Sequence, residues 1–219
     1  MSIVIAIDGP AGTGKSTVAR EVARRLGLEY LDTGATYRVG ALYCLREGVD
    51  LKNGDDVTAM VATMNVEMRL DPNNPHVILD GEDVTSLLHT DTISLVVSSV
   101  ATNLDARAVL RDVQRRLIDA SRHRAGVVAE GRDITSVVAP DAEVRVLLTA
   151  SEEVRLARRT GDGADPATVR ESVLGRDQKD STVVQFHTAA DGVVEIDTTD
   201  LTLDEVVGAV LALAKEARV

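Results

Sequence analysis

The chain has 219 residues, a net charge of −11, 44% hydrophobic and 27% charged residues, and one cysteine, Cys44. That balance is the profile of a folded globular chain, and its acidity argues against broad nucleic-acid binding, which leaves a basic footprint. A lone cysteine excludes an internal disulfide framework. No apolar run reaches the ~18 residues needed to span a bilayer; Val206 to Ala214 comes nearest and is flanked by charge. The N-terminus lacks the charged start and cleavage site of a secretory signal, so a cytoplasmic location without membrane contact is expected. With no Trp, three Tyr and one Phe, recognition of a nucleobase must rest on hydrogen bonds rather than aromatic stacking.

In chain order, Ile3 to Ile7 is a continuous apolar, β-branched run, as expected of a strand buried on both faces of a parallel sheet. Gly9-Pro10-Ala11-Gly12-Thr13-Gly14-Lys15-Ser16 follows at once, a full match to G-x-x-x-x-G-K-[ST]. Val18, Val22 and Leu26 then recur at helical spacing, with Gly27 as the stop. Strand, glycine-rich turn and helix are the context in which this motif cradles a triphosphate. A short strand is expected at Leu28 to Leu31, a turn at Asp32-Thr33-Gly34, then a helix through Arg38, Leu42 and Leu45 ending at Gly48. Another short helix begins at Asn53-Gly54-Asp55.

The period then changes. Val66 to Leu70 alternates apolar and polar residues, Val77 to Leu79 follows beyond Asp71-Pro72-Asn73-Asn74-Pro75, and Asp80-Gly81 marks a second turn. This predicts a β-hairpin inserted into an α/β chain. Helices are expected over about 91–101 and 105–121, with Asn103 as the cap between them. Buried strands follow at Val127 to Ala129 and Val144 to Leu148, and a helix starts at Ser151-Glu152-Glu153. Thr160-Gly161-Asp162-Gly163-Ala164 is a break, and Asp165-Pro166 opens another helix. A strand over Val193 to Ile196 and a capping box, Thr202 to Glu205, lead into the last helix. Strands alternating with helices predict a doubly wound parallel sheet.

The loop residues assign chemistry first. Backbone N–H groups of Gly9 to Ser16 enclose phosphates, Lys15 reaches the outer ones, and Ser16 sits on Mg²⁺. Asp8 and Glu130, each after a buried strand, are candidates for that ion's water shell, with a turn-forming role the alternative for Asp8. Arg107, Arg111 and Arg115 share one helix face, which for the last two reads as a solvated face. Arg155, Arg158 and Arg159 precede the break, and Arg170, Arg176 and Lys179 follow it, a pattern suited to a lid over transferring phosphate. Arg38 and Arg132 each follow a strand, at the sheet end where ligands of open α/β folds bind. The four histidines, 76, 89, 123 and 187, have no metal-ligand spacing and are read as structural.

Ile5 to Ser16, Leu31-Asp32-Thr33-Gly34-Ala35-Thr36-Tyr37-Arg38, Val77 to Thr85 and Glu130-Gly131-Arg132-Asp133-Ile134 together resemble the signatures of the bacterial cytidylate (CMP) kinase family, in the same order and through nearly the whole chain. The resemblance implies one P-loop kinase domain over 1–219, with an NMP-binding insertion at 36–100 and a lid at 151–185. It implies phosphoryl transfer from MgATP to the small-molecule acceptors CMP and dCMP by a monomer. Gly9, Pro10, Ala11, Gly12, Thr13, Gly14, Lys15, Ser16 and Thr17 would hold ATP. Lys15, Arg132, Arg155, Arg158 and Arg159 match positions that act on the transferring group. Thr33, Ser98, Arg107 and Asp133 match positions that read cytosine, and Tyr37 falls in the same acceptor site. Arg38 and Arg132 match those holding the acceptor phosphate, and Arg176 and Asp180 those around the ribose.

One departure stands out: Val183 occupies a place where members carry a phosphate-binding arginine, leaving Lys179 or a lid arginine to stand in. The alternatives are another small-molecule P-loop kinase or an ATP-operated switch; a guanine-type Asn-Lys-x-Asp is absent from the chain.

Overall fold

The computed structural model describes residues 2–160, 170, 174–175 and 177–217. Five strands, β1 (Ile3–Asp8), β2 (Glu29–Asp32), β6 (Gly126–Gly131), β7 (Val144–Thr149) and β8 (Val194–Asp197), form one sheet in the order β2-β6-β1-β7-β8. Every neighbouring pair is parallel. All residues of β1 and β6 are buried, which explains why these strands read as apolar runs without alternation. The register sets Ile7 and Asp32 beside Glu130, and Asp8 beside Gly131. Three acidic residues therefore arrive together at the carboxyl ends of the central strands.

Both faces of the sheet are covered. On one, α1 (Lys15–Leu26) buries Val18, Ala19, Val22 and Ala23 against Ile3, Ile5 and Ile7, with Val206, Val207 and Val210 of α7 (Leu203–Glu216) in the same cluster. On the other, Ile118 of α5 (Leu104–Arg122) packs with Val4, Ala6, Leu31, Val127 and Ala129. Each fully buried Val, Leu or Ile contributes about 1.5–3 kcal/mol, and the two clusters hold the strand ends in fixed register. The final helix starts with the capping box that Thr202 and Glu205 spell, both reciprocal hydrogen bonds being formed.

The insertion begins on α2 (Thr33–Arg46). Here the expected Asp32-Thr33-Gly34 turn gives way to helix: Asp32 is the N-cap, its carboxylate accepting from Ala35 N at 3.2 Å, so Thr33 and Gly34 form the first helical turn. Next come α3 (Gly54–Thr63) and an antiparallel sheet of β3 (Val66–Arg69), β4 (His76–Leu79) and β5 (Glu82–Asp83). The predicted hairpin is present, with a third short strand added beyond Gly81. A 3-10 turn (Thr85–His89) and α4 (Asp91–Ala101) complete the unit, which has its own core of Val39, Leu42, Val77, Leu79, Leu88 and Ile93. Asn103 caps α5 by accepting from Asp105 N and Ala106 N, as predicted.

After β7, α6 (Glu152–Thr160) carries Arg155, Arg158 and Arg159. The helix expected from Asp165-Pro166, and Arg176, lie outside the described residues. Among the described residues no single helix is long and apolar enough to cross a membrane.

Candidate active site

The phosphate loop runs from β1 into α1 and owes its shape to two glycines. Gly12 and Gly14 have φ of +85° and +89°, left-handed conformations that are strained for residues with a side chain. A Cβ at Gly12 would also stand 2.6 Å from the carbonyl oxygen of Arg155. Lys15 folds back over this loop, Nζ donating to the Pro10 carbonyl at 3.0 Å. Burial lowers its pKa to about 8, against the opposing pull of Glu130.

A cleft of about 510 Å³ opens on the loop's outer side. Residues 12–18 line it together with Arg158, Arg159 and Thr198, and Leu201, Leu203 and Val206 give it an apolar wall. Arg158 is braced there by two bonds to Thr198: Nη1 to Oγ1 at 2.9 Å and Nη2 to the carbonyl at 2.7 Å. The same hydroxyl of Thr198 bonds the carbonyls of Thr149 at 3.0 Å and Thr13 at 3.3 Å. The last strand is thereby tied to the loop.

The acidic residues at the strand ends take different tasks. Glu130 Oε1 accepts from Ser16 Oγ at 2.6 Å and from the Tyr30 hydroxyl at 3.3 Å. Burial, reinforced by nearby Asp32, raises the Glu130 pKa to about 7. Asp8 is spent otherwise, taking the turn-forming alternative. Its oxygens accept from Ile134 N at 2.9 Å, Thr135 N at 2.8 Å and Thr135 Oγ1 at 2.6 Å. Burial raises its pKa to about 6. The π-helical turn Ile134–Val138 that Asp8 caps is held at its other end by Arg115, which donates to the carbonyls of Val138 at 3.2 Å and Val137 at 2.7 Å. Arg115 is thus both exposed, as its solvated face predicts, and a cap, because the turn's orphan carbonyls meet the helix side on which it sits.

A second cleft, of about 280 Å³, lies across the loop from the first. Thr33, Tyr37 and Arg38 line it from α2, Val97 and Ala101 from α4, and Arg107 from α5. Arg132, Asp133, Asp180 and Val184 close it. Lys15, Ser16 and Arg159 line both clefts. Arg107 spans one wall: Nη1 donates to Ala101 O at 2.8 Å, Nη2 to Asp133 Oδ2 at 2.5 Å, and the guanidinium lies 5.2 Å from the Tyr37 ring centre. Thr33 donates its hydroxyl to Glu130 O at 2.8 Å, and Arg38 Nη1 donates to Leu88 O at 2.9 Å. Burial lowers the Arg38 pKa, with Asp32 opposing and Arg159 reinforcing.

Arg132 sits between two carboxylates, Nη1 2.7 Å from Asp177 Oδ1 and Nε 3.1 Å from Asp180 Oδ2. Its guanidinium covers the Phe186 ring at 4.6 Å.

Several expected site residues stand elsewhere. Arg155, expected over the transferring group, is buried behind the loop and lines neither cleft. Its Nη1 donates to Ala11 O at 3.0 Å and to Asp177 Oδ2 at 2.5 Å; a buried carboxylate draws this guanidinium inward. Ser98 is half-buried on α4 but its neighbours Val97 and Ala101 form the wall instead. Of the stand-ins for the arginine replaced by Val183, Arg159 lines the second cleft and exposed Lys179 does not. His89, read as structural, lines the second cleft as well.

Asp177, Phe186 and Thr198 were not singled out from the sequence. The signals were faint: Asp177 and Asp180 are one helical turn apart, Phe186 is the chain's one phenylalanine, and Thr198 follows the last strand.

The sequence model of the cytidylate kinase family matches residues 5–216. A cytidylate kinase of Rhodococcus opacus is 44% identical over 223 residues, covering 98% of this chain and 96% of that protein. One from Streptomyces avermitilis is 40% identical over 220 residues, covering 99% and 94%. Among solved structures, a gluconokinase from Sinorhizobium meliloti superposes with a TM-score of 0.52 at 18% identity, covering 99% of this chain and 94% of that one. A sugar kinase from Janibacter superposes with a TM-score of 0.52 at 13% identity, covering 99% and 98%. At such identities these two likenesses speak for the fold alone.

Proposed function

The chain belongs to the cytidylate kinase family, which transfers the γ-phosphoryl group of ATP to CMP, and we propose that its two clefts divide these substrates between them. ATP takes the larger cleft, its phosphates in the loop from Gly9 to Thr17. CMP or dCMP takes the smaller one, in an acceptor-binding insertion over 36–100. The observation that carries this reading is the shared wall: Lys15, Ser16 and Arg159 line both clefts. A γ-phosphoryl group held by the loop therefore faces the second cleft without crossing solvent. The alternatives of another small-molecule kinase or a switch are not favoured by the family match.

In the transfer, an oxygen of the acceptor phosphate attacks the γ-phosphorus while the bond to the β–γ bridging oxygen breaks, leaving ADP and CDP. This chemistry asks the protein for alignment and positive charge rather than covalent work. Lys15 and Arg159 supply charge at the boundary, and Arg158, braced on Thr198, supplies it on the donor side. Arg38 and Arg132 face the acceptor phosphate, and the half-buried setting of the site strengthens each attraction relative to water. Tyr37, Arg107 and Asp133 present donors and acceptors to the base. Asp180 lies on the same wall, on the side assigned to the ribose.

The donor set also suits Mg²⁺, a hard cation that prefers oxygen. Ser16 donates its hydroxyl hydrogen bond to Glu130, which leaves the hydroxyl lone pairs available. Ser16 would be the direct ligand, with Glu130 behind it, and the ion would supply positive charge to the donor's phosphates. In the same proposal residues 151–185 serve as the lid and the working unit is a monomer.

The deciding experiment is an ADP-release assay with CMP, dCMP, UMP, AMP and GMP as acceptors. CMP and dCMP are expected to lead by a wide margin, because a site built to pair polar groups leaves them unsatisfied with the wrong base. Equal turnover of UMP or AMP would overturn the division of roles proposed here.

A further inference from the structure

We propose that Asp177 is a positioning residue that ties the shape of the phosphate loop to the placement of Arg132, so that one carboxylate serves both clefts. The inference rests on the reading of Arg132 as an acceptor-phosphate arginine.

Asp177 is buried and lines neither cleft. Its Oδ1 accepts from Ala11 N at 3.2 Å and stands 2.7 Å from Arg132 Nη1. Its Oδ2 takes Arg155 Nη1, which also donates to Ala11 O. Ala11 is therefore gripped through the two peptide groups that flank its Cα, its N–H by Asp177 and its carbonyl by Arg155. Ala11 lies between the strand and Gly12, so this grip holds the bend that points the loop's N–H groups at phosphate.

The other arm reaches the acceptor side. Arg132 is suspended between Asp177 and Asp180 with its face on Phe186. Two guanidinium groups and two carboxylates make a charge-balanced set, as a nearly dry site requires. Arg132 Nη1 is buried and makes its ion pair with Asp177 without an aligned hydrogen bond, so this anchor is electrostatic. Removing the Asp177 charge leaves Arg155 buried without its counter-ion and frees Arg132 from one of its two anchors. Both substrates should feel the loss.

Steady-state kinetics with ATP and CMP varied in turn, on Asp177→Asn, Arg155→Met and Arg132→Met, test this. Asp177→Asn is expected to raise both KM values and lower kcat by about 10²-fold, the cost of a misplacement near 1 Å. Arg155→Met, which leaves the Arg132 anchors in place and loosens the loop at Ala11, is expected to raise the ATP KM and, because Ala11 borders the second cleft, to raise the CMP KM less than Asp177→Asn does. KM reports on the native molecules present, so a purely structural role would lower Tm and leave both KM values at their wild-type levels; that result overturns the proposal, as does a change in only one of them. Should Asp177→Asn fail to fold, Asp177→Glu, which keeps the charge but displaces it by a methylene, is expected to show the same double change. Arg132→Met separates the two levels of inference. If it spares CMP use, the assignment of Arg132 falls; if it impairs CMP use while Asp177 variants leave both KM values alone, only the coupling falls.

Discussion

Arg107 donates to Asp133 at 2.5 Å, and the two side chains, 13% and 10% exposed, form a nearly dry pair on the wall of the smaller cleft. A pair this secluded is costly to break, because the survivor keeps its charge without a partner. Arg107→Met is therefore expected to lower kcat/KM for CMP by roughly 5- to 150-fold, the equivalent of about 1–3 kcal/mol for a buried partner left unsatisfied. The ATP KM should not move. Equal damage to both substrates would mean that Arg107 only holds the fold.

Lys15 sits on the wall common to the clefts and bonds the Pro10 carbonyl. Lys15→Ala is expected to lower kcat by about 10²–10³-fold, the usual cost of losing one group aimed at developing charge. Single-turnover measurement with any acceptor checks it, and near-normal turnover would remove Lys15 from the transfer step.

Thr198→Val keeps the shape of the side chain while deleting the hydroxyl that receives Arg158. The carbonyl bond at 2.7 Å survives, so Arg158 is loosened rather than released. The expected result is a rise of a few-fold in the ATP KM, in line with about 0.5–1.5 kcal/mol for one hydrogen bond, with no change for CMP. A rise for CMP instead would place Arg158 on the acceptor side.

Asp8 makes a prediction about pH. Its pKa is raised from 3.8 to about 6 by burial, so between those values the folded state binds a proton that the unfolded chain has released. Its contribution to stability is complete below the unfolded pKa, falls as pH rises, and is gone above the folded one. Urea midpoints measured across this window should decline with rising pH in the wild type and decline less in Asp8→Asn. The same slope in both would exclude Asp8 as a source.

Much of this was legible beforehand because it depends on short-range rules. The phosphate loop, the capping residues Asn103 and Thr202, and the hairpin at 66–79 are written in spacing and turn chemistry, and each is present. The clustering of Tyr37, Arg38, Arg107, Arg132 and Asp133 was anticipated from the ends of strands and from the family resemblance. What stayed hidden depends on contacts between distant segments. Nothing local distinguishes Arg155, which turns inward, from Arg159, which faces both clefts; the difference is the carboxylate of Asp177, 22 residues away. Asp8 likewise looks like an ion ligand until Ile134 and Thr135, more than a hundred residues on, take its oxygens.

The partition formed by Lys15, Ser16 and Arg159 has an evolutionary corollary. A residue that belongs to two binding surfaces cannot drift toward one ligand without disturbing the other, so selection on this partition is doubly constrained. Under the proposed division of substrates, divergence in specificity is channelled outward, to Leu201, Leu203 and Val206 for the donor and to Tyr37, Arg107 and Asp133 for the acceptor. Engineered changes of base preference belong on those outer walls, where each ligand can be adjusted alone.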